Sequence, residues 1–140
     1  MFELAYNSIA KPDIDGKNLK DIQEISQKFN SENNITGCLV YYKGQFVQIL
    51  EGNEEIIEDL YARIEKDRRH YHVKKLYSNY KEKRVFGEWG MAVVDLDDPE
   101  LAELSQELFE QNLLVFSELT DRSTMAVNLF WNKVRQIIKT

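Results

Sequence analysis

Hydrophobic and polar positions alternate with a period of two over Phe2-Glu3-Leu4-Ala5-Tyr6-Asn7-Ser8, which predicts a first strand with Phe2, Leu4, Tyr6 and Ser8 on one face. The period then lengthens. After a turn-rich segment from Lys11 to Gly16, Leu19, Ile22, Ile25 and Phe29 recur at helical spacing, and Asn18 followed by Asp21 reads as an N-cap with acidic support. Ser26 and Asn30 border that apolar stripe, and Asn30 is equally readable as a C-terminal cap. From Asn33 to Gly52 two runs rich in β-branched and aromatic residues meet at Lys43-Gly44, which predicts a β-hairpin with a tight turn. One residue breaks its pattern. Gln48 falls on the same face as Phe46 and Leu50, and a buried amide needs partners. Either neighbouring protein groups satisfy it, or something polar and flat that the protein does not supply covers it.

The second half repeats the alternation of helix and strands. Asn53 caps a helix with Glu54 and Glu55 in its first turn, an apolar stripe of Ile57, Leu60, Tyr61 and Ile64, and Lys66, Arg68, Arg69 and His70 at its end. The basic cluster is either a solvated helix end or a contact for a ligand phosphate. Val73 to Tyr80 reads as a strand, Lys81 to Arg84 as a polar hairpin loop, and Glu88 to Val94 as the next strand, with Trp89, Met91 and Val93 on one face. This order predicts an α+β, ferredoxin-like βαββαββ sheet whose two helices pack side by side on one face. Asp98-Pro99 opens a first C-terminal helix lined by Leu101, Leu104 and Leu108, and a second begins near Asp121. The second carries Met125, Val127, Leu129, Phe130, Val134, Ile137 and Ile138, a set wider than one stripe. That surplus, with Phe130 and Trp131, is available to cover the sheet's second face or to reach another protein.

Composition narrows the classes. A chain of 140 residues is one domain that buries a core without metal or disulfide support, and the single Cys38 offers neither a disulfide framework nor zinc-ligand spacing. That pattern suits the cytoplasm. No apolar run approaches a membrane span and no signal-peptide pattern follows Met1, while a net charge of −6 weighs against nucleic acid as a partner.

Tyr6 in the first strand, Asn30 in the first helix, Thr36-Gly37 through Gln48-Ile49-Leu50-Glu51-Gly52, Asp67-Arg68-Arg69-His70 and Trp89-Gly90-Met91 together resemble a BLUF domain, the blue-light sensor that binds FAD. The resemblance covers roughly residues 2 to 94. It implies an FAD-binding domain over 1–96 and a two-helix C-terminal cap or output segment over 97–140, within one compact unit. It also implies non-covalent FAD lying between the two helices, with Ile22 and Ile64 on its faces, Asn30 and Ser26 at its polar edge, and Asp67, Arg69 and His70 toward the ribityl and phosphate end. Tyr6 is then the electron donor and Gln48 the switching amide, with Trp89 and Met91 coupling the site to the sheet. Phe29 occupies a position that is often polar in the family. The resemblance further implies a cytoplasmic photosensory protein without a catalytic effector domain, a homo-oligomer that signals to a partner protein. Two other readings stay open on the residues alone. One is an acylphosphatase-like hydrolase, disfavoured because Gly44-Gln45-Phe46-Val47-Gln48 lacks a phosphate-cradling arginine; the other is a cofactor-free interaction domain with Gln48 as a core amide.

Overall fold

Residues 1–14, 16–87, 91–97 and 124–139 are described in a computed structural model of the chain. Strand β1 (Phe2–Ala10) leads through helix α1 (Gly16–Glu32) to the hairpin of β2 (Thr36–Tyr42) and β3 (Gln45–Gly52). Helix α2 (Glu54–Lys66), strands β4 (His70–Tyr80) and β5 (Met91–Asp95) and helix α3 (Met125–Lys139) follow. The sheet order is β4-β1-β3-β2-β5, antiparallel except for the parallel β2–β5 pair. This is the expected split βαβ arrangement: β3 lies between β1 and β2, and β1 lies between β3 and β4. The hairpin turn is as its sequence demands. Lys43 and Gly44 take φ of 46° and 77°, the doubly positive pair that matches strand twist in a two-residue turn.

Four local expectations need correction. Helix α1 begins at Gly16, so Asn18 is not a cap but lies inside the helix, its amide donating to the Asp13 carbonyl at 3.5 Å. Helix α2 is capped by Asn53 as predicted, accepting from the Ile56 N–H at 3.2 Å, but it ends at Lys66. His70 is therefore the first residue of β4 rather than part of a helix end. The segment after β4 is not a hairpin loop. It crosses to the opposite edge of the sheet, where β5 pairs with β2, and its polarity has a different cause: Lys81 and Arg84 are drawn into hydrogen bonds with Glu51 and its surroundings. Finally, α1 and α2 are not closely packed side by side; they stand on either side of a cavity, and Ile25 of the expected core stripe is 63% exposed at its rim.

The two sheet faces hold separate cores. Phe2, Leu4, Tyr6, Leu50, Ile57, Tyr61 and Met91 pack on the face covered by α1 and α2. On the other, Ala5, Cys38, Val40, Val47 and Ile49 meet Phe130, Trp131, Val134 and Ile137 of α3. Of the two readings open for the apolar surplus of α3, Phe130 and Trp131 follow the first and cover the sheet. Phe130 and Trp131 are 0% and 1% exposed, because a five-stranded sheet has a second apolar face to cover. Among the described residues no helix is long and apolar enough to cross a membrane. Trp89 and the helix expected from Asp98-Pro99 lie outside the described residues.

Candidate cofactor site

Between α1, α2 and the sheet lies a cavity of about 280 Å³, close to the lower limit of ~300 Å³ usual for ligand clefts. Strand pairing builds its floor. Tyr6 of β1 faces Gln48 of β3, and Gln48 faces Leu39 of β2, so one row across three strands brings all three side chains to the cavity. The period of two does the rest: Cys38, one residue from Leu39, points to the opposite face, where burial pushes its thiol up to about 12. It is an inert thiol, away from the cavity.

Tyr6 donates its hydroxyl hydrogen to Gln48 Oε1 at 2.5 Å, and Gln48 Nε2 has the thioether of Met91 as its acceptor at 3.7 Å. Sulfur is a weak acceptor, so the amide nitrogen retains capacity for a better one. Burial, and secondarily the charges of Tyr61 and Asp67, push the Tyr6 hydroxyl well above its ordinary value. It keeps its proton in the resting site. Asn30, 2% exposed, is not a cap; its backbone carbonyl accepts from the Ile35 N–H, and its side-chain Oδ1 has no partner among the described residues. A buried, unsatisfied amide beside a cavity is costly unless the cavity is filled.

The far end of the cavity is polar. Asp67, the C-cap of α2, holds the Arg69 guanidinium through Nη2–Oδ2 at 2.5 Å and Nε–Oδ1 at 3.0 Å. These bonds, against the effect of burial, hold the Asp67 carboxyl below its ordinary value. His70 donates from Nε2 to the Ile64 carbonyl at 2.5 Å, since a carbonyl only accepts, and this leaves Nδ1 to accept the Ser8 hydroxyl at 2.8 Å. Ile22, Ser26 and Ile64 complete the expected set: every candidate cofactor contact named from the sequence lines this cavity. Sequence reasoning missed others. Ile25, Leu39, Phe46, Leu60 and Arg63 also line it, as does Phe29, whose ring lies 4.9 Å from the Arg63 guanidinium across the cleft. Arg63 sits in the last turn of α2, where a solvated, dipole-complementing charge is the ordinary reading, so no local signal marks it.

Residues 1–92 match the family described as "BLUF: Sensors of blue-light using FAD". The chain belongs to the BLUF family. Its cofactor is FAD, and it is a blue-light sensor domain. The blue light- and temperature-regulated antirepressor BluF of Escherichia coli (strain K12) is 32% identical over 113 residues, 81% of this chain and 28% of that protein. Photoactivated adenylate cyclase subunit alpha of Euglena gracilis is 37% identical over 87 residues, 62% of this chain and 8% of that protein. This BLUF chain therefore spans less than a third of the length of either curated relative. The solved BlrP1 BLUF structure, BlrP1 being a Klebsiella pneumoniae protein, aligns with a TM-score of 0.74 at 31% identity, covering 97% of this chain and 88% of that one.

The residues present fit FAD. The edge of an isoalloxazine ring carries carbonyl and N–H groups in one plane, and the cavity offers it the unpartnered Asn30 Oδ1 and the under-satisfied Gln48 nitrogen between apolar walls.

Proposed function

We propose that light is sensed here through the Tyr6–Gln48 pair, and that the sensor signals to a partner protein rather than catalysing a reaction itself. The observation that carries this reading is the 2.5 Å hydrogen bond from the Tyr6 hydroxyl to Gln48 Oε1, buried beside a cavity that suits a flavin ring. Non-covalent FAD supplies blue-light absorption and, when excited, a strong electron acceptor. Ile22 and Ile64 would hold its ring faces, Asn30 and Ser26 its polar edge, and Asp67, Arg69 and His70 the ribityl side. His70 does so by fixing the wall, since both its ring nitrogens are engaged within the protein.

Tyr6 would give an electron to that acceptor and its hydroxyl proton to Gln48 Oε1, while the amide nitrogen would release a proton to the cavity side in turn. The electron returns to Tyr6 and a proton to its oxygen, so the cycle closes with no net oxidation. What changes is Gln48, whose amide ends exchange by rotation or by tautomerising, and with them the hydrogen bonds offered to the cavity and to Met91. Met91, on β5, lies in contact with the amide and couples this change to the sheet, with Trp89 two residues before it in sequence. The cytoplasm, a homo-oligomeric state and a protein partner complete the proposal. Support for a protein output comes from relatives named as an antirepressor and a photoactivated cyclase.

Absorption spectroscopy of the purified FAD-loaded protein tests the proposal. Blue light is expected to shift the flavin bands reversibly to longer wavelength without bleaching, and Tyr6→Phe to keep FAD while losing the shift. A normal reversible shift in Tyr6→Phe removes Tyr6 from the mechanism, and persistent bleaching in the wild type replaces the mechanism altogether.

A further inference from the structure

The face of the sheet turned away from the cavity carries a buried ionic cluster that the light chemistry does not use. Lys81, just past the end of β4, places its ammonium 3.2 Å from Glu3 Oε1 and 2.5 Å from Glu51 Oε2. These carboxylates face each other across β1 and β3, and the side chains of Lys81, Glu3 and Glu51 are only 4%, 1% and 0% exposed. Glu51 also accepts from the Thr36 hydroxyl at 2.7 Å and from the backbone N–H groups of Val85 and Phe86 at 2.9 and 2.7 Å. Arg84 closes the set, donating to the Thr36 hydroxyl at 2.8 Å and to the Glu51 carbonyl at 3.1 Å. Two carboxylates thus share the Lys81 ammonium, while Arg84 braces Thr36 and the Glu51 backbone beside them. Glu3 also meets Thr124: the Thr124 hydroxyl donates to it at 2.7 Å and accepts from the Val127 N–H at 3.2 Å, which makes Thr124 the N-cap of α3.

Stability is a poor reason for such a cluster, because buried ion pairs are commonly matched or exceeded in stability by apolar replacements of similar volume. What it provides is one fixed arrangement that ties three separate segments together. Glu51 lies three residues after Gln48 on the same strand; Val85 and Phe86 lie on the crossover that leads to β5 and Met91; Thr124 starts α3. Phe86 adds a second link, its ring centroid 6.3 Å from that of Phe130 and 5.9 Å from that of Trp131 on α3.

We propose that Glu3, Lys81 and Glu51 are positioning residues that transmit the state of the Gln48–Met91 pair to the N-terminal turn of α3 through Thr124. The inference rests on the light-sensing reading above. When Gln48 exchanges its amide ends, the contact from Nε2 to the Met91 thioether is lost, and the start of β5 is freed to move on β2. The crossover follows, carrying the Val85 and Phe86 N–H groups that Glu51 holds. Lys81 then redistributes between Glu51 and Glu3, and Glu3 reorients the capping hydroxyl of Thr124.

Hydrogen exchange of the full FAD-loaded chain in darkness and under blue light, with absorption followed on the same samples, tests this route. In the wild type the peptide spanning 125–131 is expected to change its exchange rate on illumination by about 5-fold or more, the lower end of ordinary coupling between sites. Thr124→Val raises exchange there in both states, keeps the absorption shift and loses the light-minus-dark difference; Thr124→Ser restores it. Glu3→Gln, which retains an acceptor oxygen but not the charge, diminishes the difference and guards against misfolding of the first variant. A full light-minus-dark difference in both Thr124→Val and Glu3→Gln overturns the route, as does a wild type that shifts its absorption with no change in α3. No absorption shift in the wild type overturns the light-sensing reading itself, and the route with it.

Discussion

At the scale of single residues, the site is built from amides and a phenol whose bonding is left incomplete on the cavity side. Tyr6 is the most constrained of them: burial keeps its hydroxyl neutral, and its one acceptor is Gln48 Oε1. Asn30 is the least satisfied. Its Oδ1 is buried without a partner among the described residues, so a bound ring edge relieves a desolvation cost of about 1–3 kcal/mol. Asn30→Ala removes that gain, and the expected result is FAD binding weakened by roughly 5- to 150-fold, read by titrating the apoprotein and following flavin fluorescence. The absorption shift of the fraction that still binds is expected to survive, because the partners of Tyr6 and Gln48 among the described residues are each other and Met91, not Asn30.

At the scale of elements, close approach and buried charge fix how β3 meets its neighbours. A Cβ on Gly37 would come within 2.0 Å of the Ile49 carbonyl oxygen, so only glycine lets β2 lie this near to β3 beside Met91. Glu51 fixes the other side of the hairpin. Burial pushes its carboxyl up, but the Lys81 and Thr36 hydrogen bonds, the Lys81 charge and the Val85 N–H outweigh that and hold it below its ordinary value. A carboxylate depressed in the folded state stabilises the protein above its unfolded value, about 4.3, and that stabilisation disappears as pH falls through the folded value. Denaturant midpoints of the wild type are therefore expected to fall with acid below about pH 5, and less steeply in Glu51→Gln. At pH 7 Glu51→Gln is expected to be the less stable protein, since the buried Lys81 ammonium loses its nearest counter-charge.

At the scale of the whole molecule, the chain is a sheet with two different coverings. The α1–α2 side is opened by a cavity, and the α3 side is closed by a packed aromatic core. Phe130→Ala and Trp131→Ala are expected to cost about 3–5 kcal/mol in chemical unfolding, as large-to-small changes in a core do. Met125, 56% exposed on the same helix, is expected to tolerate Met125→Gln within about 0.5 kcal/mol. Equal sensitivity at all three positions would mean that α3 does not cover the sheet as described.

Much of this was legible in the sequence because the information is periodic and local. Alternation placed Tyr6 with Leu4 on one face of β1 and Gln48 with Phe46 and Leu50 on one face of β3, the Lys43-Gly44 turn set the register of Gln48 against Leu39, and Asn53 marked the start of α2. The residue pattern then pointed to the family, and with it to the residues that line the cavity. Pairing between distant segments was not legible. That β5 crosses to β2 instead of folding back on β4 depends on Lys81 and Arg84 finding Glu3, Glu51 and Thr36, groups up to 78 residues away in sequence, and no period records such an encounter. The same limit left open whether Phe130 and Trp131 cover the sheet or reach another protein. A helix shows how much apolar area it carries, whereas which surface removes that area from water is decided only when the sheet has formed.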